Sequence, residues 1–256
     1  MRKLNKFKKA HVRRSIYVLP NIFTTFNLFA GFFAIISSIE SKFTIAAVSI
    51  LIAGVFDLLD GKIARATNTS SQFGIEYDSL ADLVSFGIAP MLLMYLWALK
   101  PLGRFGWLAA FLFMACGALR LARYNTNAGA ADNGYFTGLP IPAAAGMTAS
   151  IVLFADKINI AANSLLMLTV LYLLSFLMVS SIKFQSLKKY AFFGKMKFNI
   201  FAAGILILIF IAAMPQIALF VLSVLYILSG LFLNLKNKLF KNKLKTKKTE
   251  QSVKGI

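Results

Sequence analysis

The chain has 256 residues, of which 59% are hydrophobic, with a mean hydropathy of +0.73 and a formal net charge of +19. This apolar share lies well above the roughly 45–50% of soluble domains and excludes an ordinary soluble protein. A single cysteine, Cys116, and a single histidine, His11 in the basic N-terminal segment, exclude a disulfide framework and a histidine-based triad or metal site within the apolar segments.

Apolar runs separated by charged, proline or glycine clusters predict an all-α, polytopic membrane helix bundle of about eight transmembrane helices. The predicted helices cover residues 18–39, 42–66, 75–99, 104–125, 138–156, 162–183, 197–213 and 215–235. Residues 1–17 form a basic tail, and we interpret the helix that follows as retained, because it lacks a small-residue cleavage site. Residues 236–256 form a lysine-rich tail that is expected to be disordered. The transmembrane domain is therefore predicted to span residues 18–235.

Lysine and arginine are distributed unevenly over the predicted connections. With an even number of spans, 24 of the 28 basic residues fall on one side of the membrane. The positive-inside rule assigns that side to the cytoplasm, which predicts a multi-pass protein of the inner membrane with both termini inside. The net charge suits either attraction to anionic membrane lipids or solvated tails. No nucleic-acid partner is expected, because no independent domain would organise a basic groove.

Acidic residues are few, nine in all, and more than half of them lie within 26 consecutive residues. These are Asp57, Asp60, Glu76, Asp78 and Asp82. Asp57 and Asp60 share a face of the second predicted helix, and Asp78 and Asp82 share a face of the third, so that the two pairs can converge. Four carboxylates near hydrocarbon need neutralisation, and divalent cations that prefer oxygen ligands, such as Mg²⁺, Mn²⁺ or Ca²⁺, supply it. Glu76 is expected to be solvated.

The segment between the two aspartate pairs is suited to a diphosphate. Gly61 and Ala64 would let a ligand or a neighbouring backbone come close, and Gly74 stands just before the third helix. Arg65 offers a planar guanidinium that matches phosphate oxygens. Carboxylates for metal, small residues and an arginine together indicate a phosphoryl-type transfer, which needs mainly positioning and neutralisation of charge.

The order of these residues is D-x-x-D-G-x-x-A-R from Asp57 to Arg65 and, eight residues later, G-x-x-x-D-x-x-x-D from Gly74 to Asp82. It resembles the signature of the CDP-alcohol phosphotransferases at every fixed position. The resemblance implies a six-helix membrane core with a cytoplasmic active site and, commonly, a homodimer. It also implies that the first three aspartates hold a pair of Mg²⁺ or Mn²⁺ ions against the CDP diphosphate. Asp82 belongs to the same metal-binding set and is implied to be the general base.

Flanking segments resemble the bacterial phosphatidylserine synthase branch of this family. The similar segments are Leu19 to Thr24 with Asn27 and Gly31, Asp78 to Pro90, Gly117 to Asn125, and Phe136 to Gly146. This implies CDP-diacylglycerol and L-serine as substrates. Asn21, Thr24 and Asn27 resemble positions near the cytidine nucleotide, although interhelical hydrogen bonding is an equally good interpretation. Beyond Phe184 no motif supports the assignment.

Two arginines are candidates for binding the serine carboxylate. Arg120 and Arg123 are three residues apart near the predicted cytoplasmic end of the fourth helix, where isolated arginines usually have a partner or a ligand. The alternative is that both extend to lipid headgroups and follow the positive-inside rule.

Two other functions compete with this interpretation. Within the family, glycerol 3-phosphate or inositol could be the acceptor. An ion-coupled transporter is the alternative from a different class, and it predicts carboxylates spread along a transmembrane path together with inverted repeats. Here the carboxylates occupy one window at one face, and the sequence shows no repeat.

Overall fold

The computed structural model describes residues 2–67, 71–126, 135–185 and 213–254. Its α-helices are α1 (Arg2–Ile39), α2 (Phe43–Thr67), α3 (Gln72–Asp82), α4 (Ala89–Met94), α5 (Arg104–Thr126), α6 (Ile141–Lys157), α7 (Ser164–Val179) and α8 (Pro215–Lys254). A π-helical turn at Leu83–Ile88 joins α3 to α4. The same helical segment continues through a second π-helical turn at Tyr95–Leu99 and a 3₁₀ turn at Lys100–Leu102. Two strands, β1 (Tyr135–Thr137) and β2 (Lys183–Gln185), pair antiparallel.

Within the residues that the structure describes, five segments are long and apolar enough to cross a bilayer. They are Leu19–Ile39, Phe43–Ala64, Gln72–Leu102, Arg104–Thr126 and Pro215–Asn234, and α7 is a shorter apolar helix. Large apolar side chains cover the outer surface, with Phe176 70% exposed and Phe232 69% exposed, which suits contact with lipid. The interior is rich in alanine, which lets helix backbones approach closely, as in membrane bundles. The predicted class, a polytopic all-α membrane protein, is confirmed.

The helix boundaries differ in places from the predicted ones. Seven of the eight predicted helices are found in the described ranges, whereas the predicted helix at 197–213 lies outside them except for its last residue. The number of crossings beyond the five stays a prediction. Basic residues before position 18 belong to α1, which begins at Arg2. The tail from residue 236, expected to be disordered, continues α8 to Lys254, since no glycine or proline interrupts these lysine-rich residues.

The ribbon of β1 and β2 was not predicted. The helix expected at 162–183 ends at Val179, because Ser180 turns the backbone out of helical geometry at φ −59° and ψ 159°. Gly138 then crosses close to the end of α7, with its N–H donating to the Ile182 carbonyl at 2.8 Å and its φ at +82°. A side chain at this position would collide with the Met178 carbonyl oxygen, so the crossing requires glycine.

Short connections place the chemically important segments at one end of the bundle. Consecutive helical segments are joined by the short connections 40–42, 68–71 and 100–103. They therefore run in alternating directions. The last turns of α2 and α5 and the first turns of α3 consequently lie together. The Leu83–Ile88 π-helical turn directly follows this end of α3 and precedes Pro90, whose missing N–H and bulky ring are accommodated by the widened backbone.

Candidate active site

Three of the predicted aspartates meet where α2 and α3 adjoin. Carboxylate oxygens of Asp57, Asp60 and Asp78 lie within 4.8 Å of one another. Asp60 is only 4% exposed, and the other two are half-buried. Like charges this close and this poorly solvated repel one another, and a shared cation would remove the repulsion. The sequence expectation that the two aspartate pairs converge is met by these three residues.

Asp82 lies one turn further along α3, outside that group of three, and is 8% exposed. Asn27 of α1, which is fully buried, donates a hydrogen bond from Nδ2 to Asp82 Oδ1 at 3.1 Å. The guanidinium of Arg120 from α5 also lies within electrostatic range of Asp82. Asp82 is therefore a buried carboxylate held by an amide and accompanied by a cation, distinct from the three clustered aspartates.

Helix α1 supports Asp60 in a similar way. Thr24 Oγ1 lies 3.0 Å from Asp60 Oδ2 and donates to it, and the same hydroxyl is 3.2 Å from the Pro20 carbonyl oxygen. Thr24 and Asn27 therefore make interhelical hydrogen bonds to the site aspartates, which was the alternative interpretation of their place in the sequence. Such hydrogen bonds fix the orientation of each carboxylate.

The contact between α1 and the π-helical turn explains why these hydrogen bonds form. Ser85 Oγ donates to the backbone carbonyl of Asn27 at 2.9 Å. One turn along α1, Gly31 lies directly against the same serine, and a Cβ at position 31 would be 2.6 Å from Ser85 Cα. Because only glycine allows this approach, Gly31 sets the depth at which Asn27 meets Asp82.

Replacing Gly31 with alanine is expected to lower the thermal midpoint and the activity together, since overpacking costs about 1–3 kcal/mol and the helices must separate. The measurement is a thermal-shift curve with an activity assay of the purified protein. Gly146→Ala is the matched control, because Gly146 also lies in a helix but nothing lies within 4 Å of a Cβ there. Equal thermal midpoints for the two variants would contradict the packing argument.

The remaining predicted residues fall around this centre. Gly61 and Ala64 follow Asp60 on the last turns of α2 and are half-buried, and the side chain of Arg65 lies outside what the structure describes. Gly74 is in the first turn of α3, where its N–H donates to Ser71 Oγ at 3.0 Å. Asn21 lies beside it, with Oδ1 3.5 Å from the place a Cβ on Gly74 would occupy. Gly61 and Ala64 on α2 and Gly74 on α3 thus lie about one helical turn or less from an aspartate of the group.

The two arginines differ in their surroundings. Arg120 lies within electrostatic range of Asp82, and its Nε is buried without a hydrogen-bond partner. Arg123 donates from Nη1 to the carbonyl of Val179 at 3.2 Å, and thereby binds the C-terminal end of α7. The structure therefore brings Arg120 to the site and gives Arg123 a role in joining α5 to α7.

Buried polar atoms without a hydrogen-bond partner are also found around the aspartates. In the described part of the chain there are three such side-chain atoms: Asn27 Oδ1, Asp78 Oδ1 and Arg120 Nε. They come from α1, α3 and α5, and all belong to residues around the aspartates. Since leaving a buried polar atom unpaired is costly, three of them around one centre indicate a place built for a polar ligand.

Two further contacts were missed by sequence reasoning. Asn125 Nδ2 donates to Ser79 Oγ at 2.9 Å and connects the end of α5 to the turn between Asp78 and Asp82. Thr25 and Tyr77 share a hydrogen bond between their hydroxyls at 3.0 Å. Asn125 is the last residue of the segment Gly117 to Asn125, which resembles the family, and this resemblance could have indicated a function for it. Nothing in the local sequence indicated the hydroxyl pair.

This arrangement of aspartates on adjoining membrane helices agrees with the comparison to family models. The model of the CDP-alcohol phosphatidyltransferases matches residues 17–179, and the chain belongs to this family of transferases.

Among curated proteins, it is similar to the CDP-diacylglycerol–serine O-phosphatidyltransferase of Helicobacter pylori, with 38% identity over 237 residues that cover 89% of this chain and 97% of that protein. The enzyme of the same name from Bacillus subtilis is 38% identical over 173 residues, 68% of this chain and 93% of that protein. The archaetidylserine synthase of Methanothermobacter thermautotrophicus is 37% identical over 172 residues, 66% of this chain and 70% of that protein.

Proposed function

We propose that this enzyme transfers the phosphatidyl group of CDP-diacylglycerol to the hydroxyl of L-serine and releases CMP. The observation that carries the proposal is the group of three clustered carboxylates together with the buried polar atoms that have no hydrogen-bond partner, among them Nε of Arg120. A buried arginine within electrostatic range of a buried carboxylate suits a small acceptor that has both a carboxylate and a hydroxyl to be deprotonated. The names of the relatives from Helicobacter pylori and Bacillus subtilis contain both substrates.

The group of Asp57, Asp60 and Asp78 fits a divalent metal. Its ligand atoms are all carboxylate oxygens within 4.8 Å of one another, and Asp78 Oδ1 is buried without a partner. An oxygen-only donor set favours Mg²⁺ or Mn²⁺ over zinc. When bound, one such ion or a pair would neutralise the diphosphate of the lipid and the charge that develops on departing CMP.

Asp82 is the residue that we assign as the general base. Asn27 occupies its Oδ1, so Oδ2 is left to take the proton of the serine hydroxyl. The hydroxyl oxygen then forms a bond to the phosphorus of the phosphatidyl group as the bond from that phosphorus to the CMP oxygen breaks. The proton stays on Asp82 until it passes to solvent or to product.

The other site residues are assigned to binding. Arg120 takes the serine carboxylate, while Arg123 holds the end of α7 next to it. The small residues Gly61, Ala64 and Gly74 leave room for the diphosphate, and Arg65 is proposed to neutralise part of it. Asn21 lies on the same side as Gly74 and is proposed to face the nucleotide, whereas Thr24 and Asn27 act through the aspartates they hold.

The orientation in the membrane is also a proposal. The site lies at the end of the bundle near which most basic residues cluster in the sequence, and the positive-inside rule makes that the cytoplasmic face of the inner membrane. Both termini would then be cytoplasmic, where L-serine and a nucleotide-activated lipid of the inner leaflet are both available.

Release of CMP from CDP-diacylglycerol by the purified protein is expected to depend on serine and on Mn²⁺ or Mg²⁺. The assay offers serine, glycerol 3-phosphate and inositol in parallel, each radiolabelled, and measures label in lipid. Incorporation of glycerol 3-phosphate or inositol instead of serine would overturn the choice of acceptor. Ion flux through liposomes without any CMP release would overturn the assignment as a transferase.

A further inference from the structure

Helices α1 and α3 are joined by a hydrogen bond between two hydroxyl groups that the mechanism above does not use. Thr25 Oγ1 and the Tyr77 hydroxyl oxygen lie 3.0 Å apart. Thr25 Oγ1 also lies 2.7 Å from the carbonyl oxygen of Asn21, which can only accept a hydrogen bond. The single proton of the threonine hydroxyl is therefore used toward Asn21, and Tyr77 donates to Thr25.

Tyr77 is placed directly before Asp78, one of the three clustered aspartates. Its ring stacks on that of Phe73, one turn earlier on α3, with centroids 5.9 Å apart and planes at 14°. Phe73 is 68% exposed and Tyr77 is half-buried, so the pair lies at the outer edge of the contact between α1 and α3. The stacked ring limits the rotamers of Tyr77 and directs its hydroxyl to Thr25.

Helix α2 is attached to α1 at the corresponding position. Phe56 directly precedes Asp57, and its ring stacks on that of Phe26 with centroids 5.4 Å apart and planes at 27°. The Phe23 ring lies 6.5 Å from it on the same side. Thr25 and Phe26, consecutive residues of α1, thus contact the residues that come immediately before a clustered aspartate on α3 and on α2.

This attachment matters more for Asp78 than for Asp60. Asp60 accepts a hydrogen bond from Thr24, whereas Asp78 Oδ1 is buried without a partner. The place of the Asp78 carboxylate therefore depends on where the first turns of α3 lie relative to α2. A metal site tolerates changes of only about 0.2 Å in the distances from the ion to its ligands, so a small shift of α3 would weaken binding.

We propose that Tyr77 is a positioning residue for the metal site: its hydrogen bond to Thr25 holds the first turns of α3 against α1, so that Asp78 stays within reach of Asp57 and Asp60. The inference rests on the proposed metal site. Helix α1, which contributes none of the three clustered carboxylates, sets the spacing between the two helices that do. Tyr77 acts through α3 and does not touch the substrate.

Tyr77→Phe tests the proposal, because it keeps the ring that stacks on Phe73 and removes only the hydroxyl. The Kd for Mn²⁺, measured by electron paramagnetic resonance of free Mn²⁺ without substrate, is expected to rise about three- to tenfold, the worth of one net hydrogen bond. Tyr172→Phe is the matched control, since Tyr172 is 37% exposed on α7, and this variant should bind Mn²⁺ as the wild type does.

Changes at the other end of the hydrogen bond separate positioning from general stability. Thr25→Val removes the acceptor and should weaken Mn²⁺ binding as Tyr77→Phe does, whereas Thr25→Ser keeps a hydroxyl and should bind as the wild type does. Thr169→Val is the control, because Thr169 donates to the Leu165 carbonyl on α7 as Thr25 does to that of Asn21. In the Tyr77→Phe background, Thr25→Val should raise the Kd less than twofold further.

The possible outcomes distinguish this role from the metal site itself. A lower thermal midpoint with an unchanged Kd in Tyr77→Phe, equal weakening in Thr25→Ser and Thr25→Val, or full additivity in the double variant would each overturn the positioning role alone. A wild-type protein that does not bind Mn²⁺ would overturn the metal site, and the role of Tyr77 with it.

Discussion

Replacing Asp82 with asparagine is expected to lower serine-dependent CMP release by about 10²- to 10⁴-fold, the usual contribution of a general base. The amide oxygen of asparagine can still accept the hydrogen bond that Asn27 donates to Oδ1. The variant therefore keeps the contact between α1 and α3 and loses only the ability to take a proton. Affinity for CDP, measured by calorimetry on the purified protein, is expected to stay within about threefold of the wild type, because Asp82 lies outside the group of three aspartates.

The control for this variant is Asp156→Asn. Asp156 is exposed near the C-terminal end of α6, at the opposite end of the bundle, and removing its charge tests for a general effect of net charge. Asp156→Asn should match the wild type in rate and in CDP affinity. CMP release by Asp82→Asn at more than a tenth of the wild-type rate would mean that Asp82 is not the base, and loss of CDP affinity in step with the rate would assign it to nucleotide binding.

The aspartate constellation could be predicted because it depends on local spacing. An i, i+3 pair and an i, i+4 pair each share a helix face, and the short connection between α2 and α3 forces the two faces to meet. The class of fold was equally accessible, since apolar runs of span length admit few other structures. Residue spacing did not predict which side chains would donate hydrogen bonds to the carboxylates. Thr24 donates a hydrogen bond to Asp60, and Asn27 donates one to Asp82. Both bonds depend on the close packing of α1, which the contact between Gly31 and Ser85 allows.

Contacts between segments far apart in the chain could not be predicted from the sequence. The ribbon pairs Phe136 with Phe184, and neither three-residue strand is long enough to show an alternating pattern. Tyr226 likewise stands in a uniformly apolar stretch of sequence, and its ring contact with Phe184 of β2 is seen only in the structure. The spacing of Arg120 and Arg123 predicts a shared function. Arg123 instead donates a hydrogen bond to the carbonyl of Val179, so that the two arginines have different roles.

Chelation of divalent cations is expected to abolish CMP release, and addition of Mn²⁺ or Mg²⁺ is expected to restore it. Asp78→Asn should then require much more Mn²⁺ for half-maximal activity. Asp78 Oδ1 is a buried oxygen without a partner, at the centre of the site, and its replacement by an amide removes both the charge and the preferred ligand. The expected shift is at least the roughly 10–100-fold that loss of an outer-shell partner costs.

Glu76→Gln provides the matched control two residues earlier on the same helix. Glu76 is exposed and accepts a hydrogen bond from Gln72 at 3.0 Å, a contact that glutamine can preserve, so the variant removes one acidic charge away from the site. Electron paramagnetic resonance of free Mn²⁺ measures binding independently of turnover, and only Asp78→Asn should weaken it. If both variants bound Mn²⁺ as the wild type does, the three clustered carboxylates would have to be stabilised by something other than a cation, because their mutual repulsion in a poorly solvated site remains to be offset.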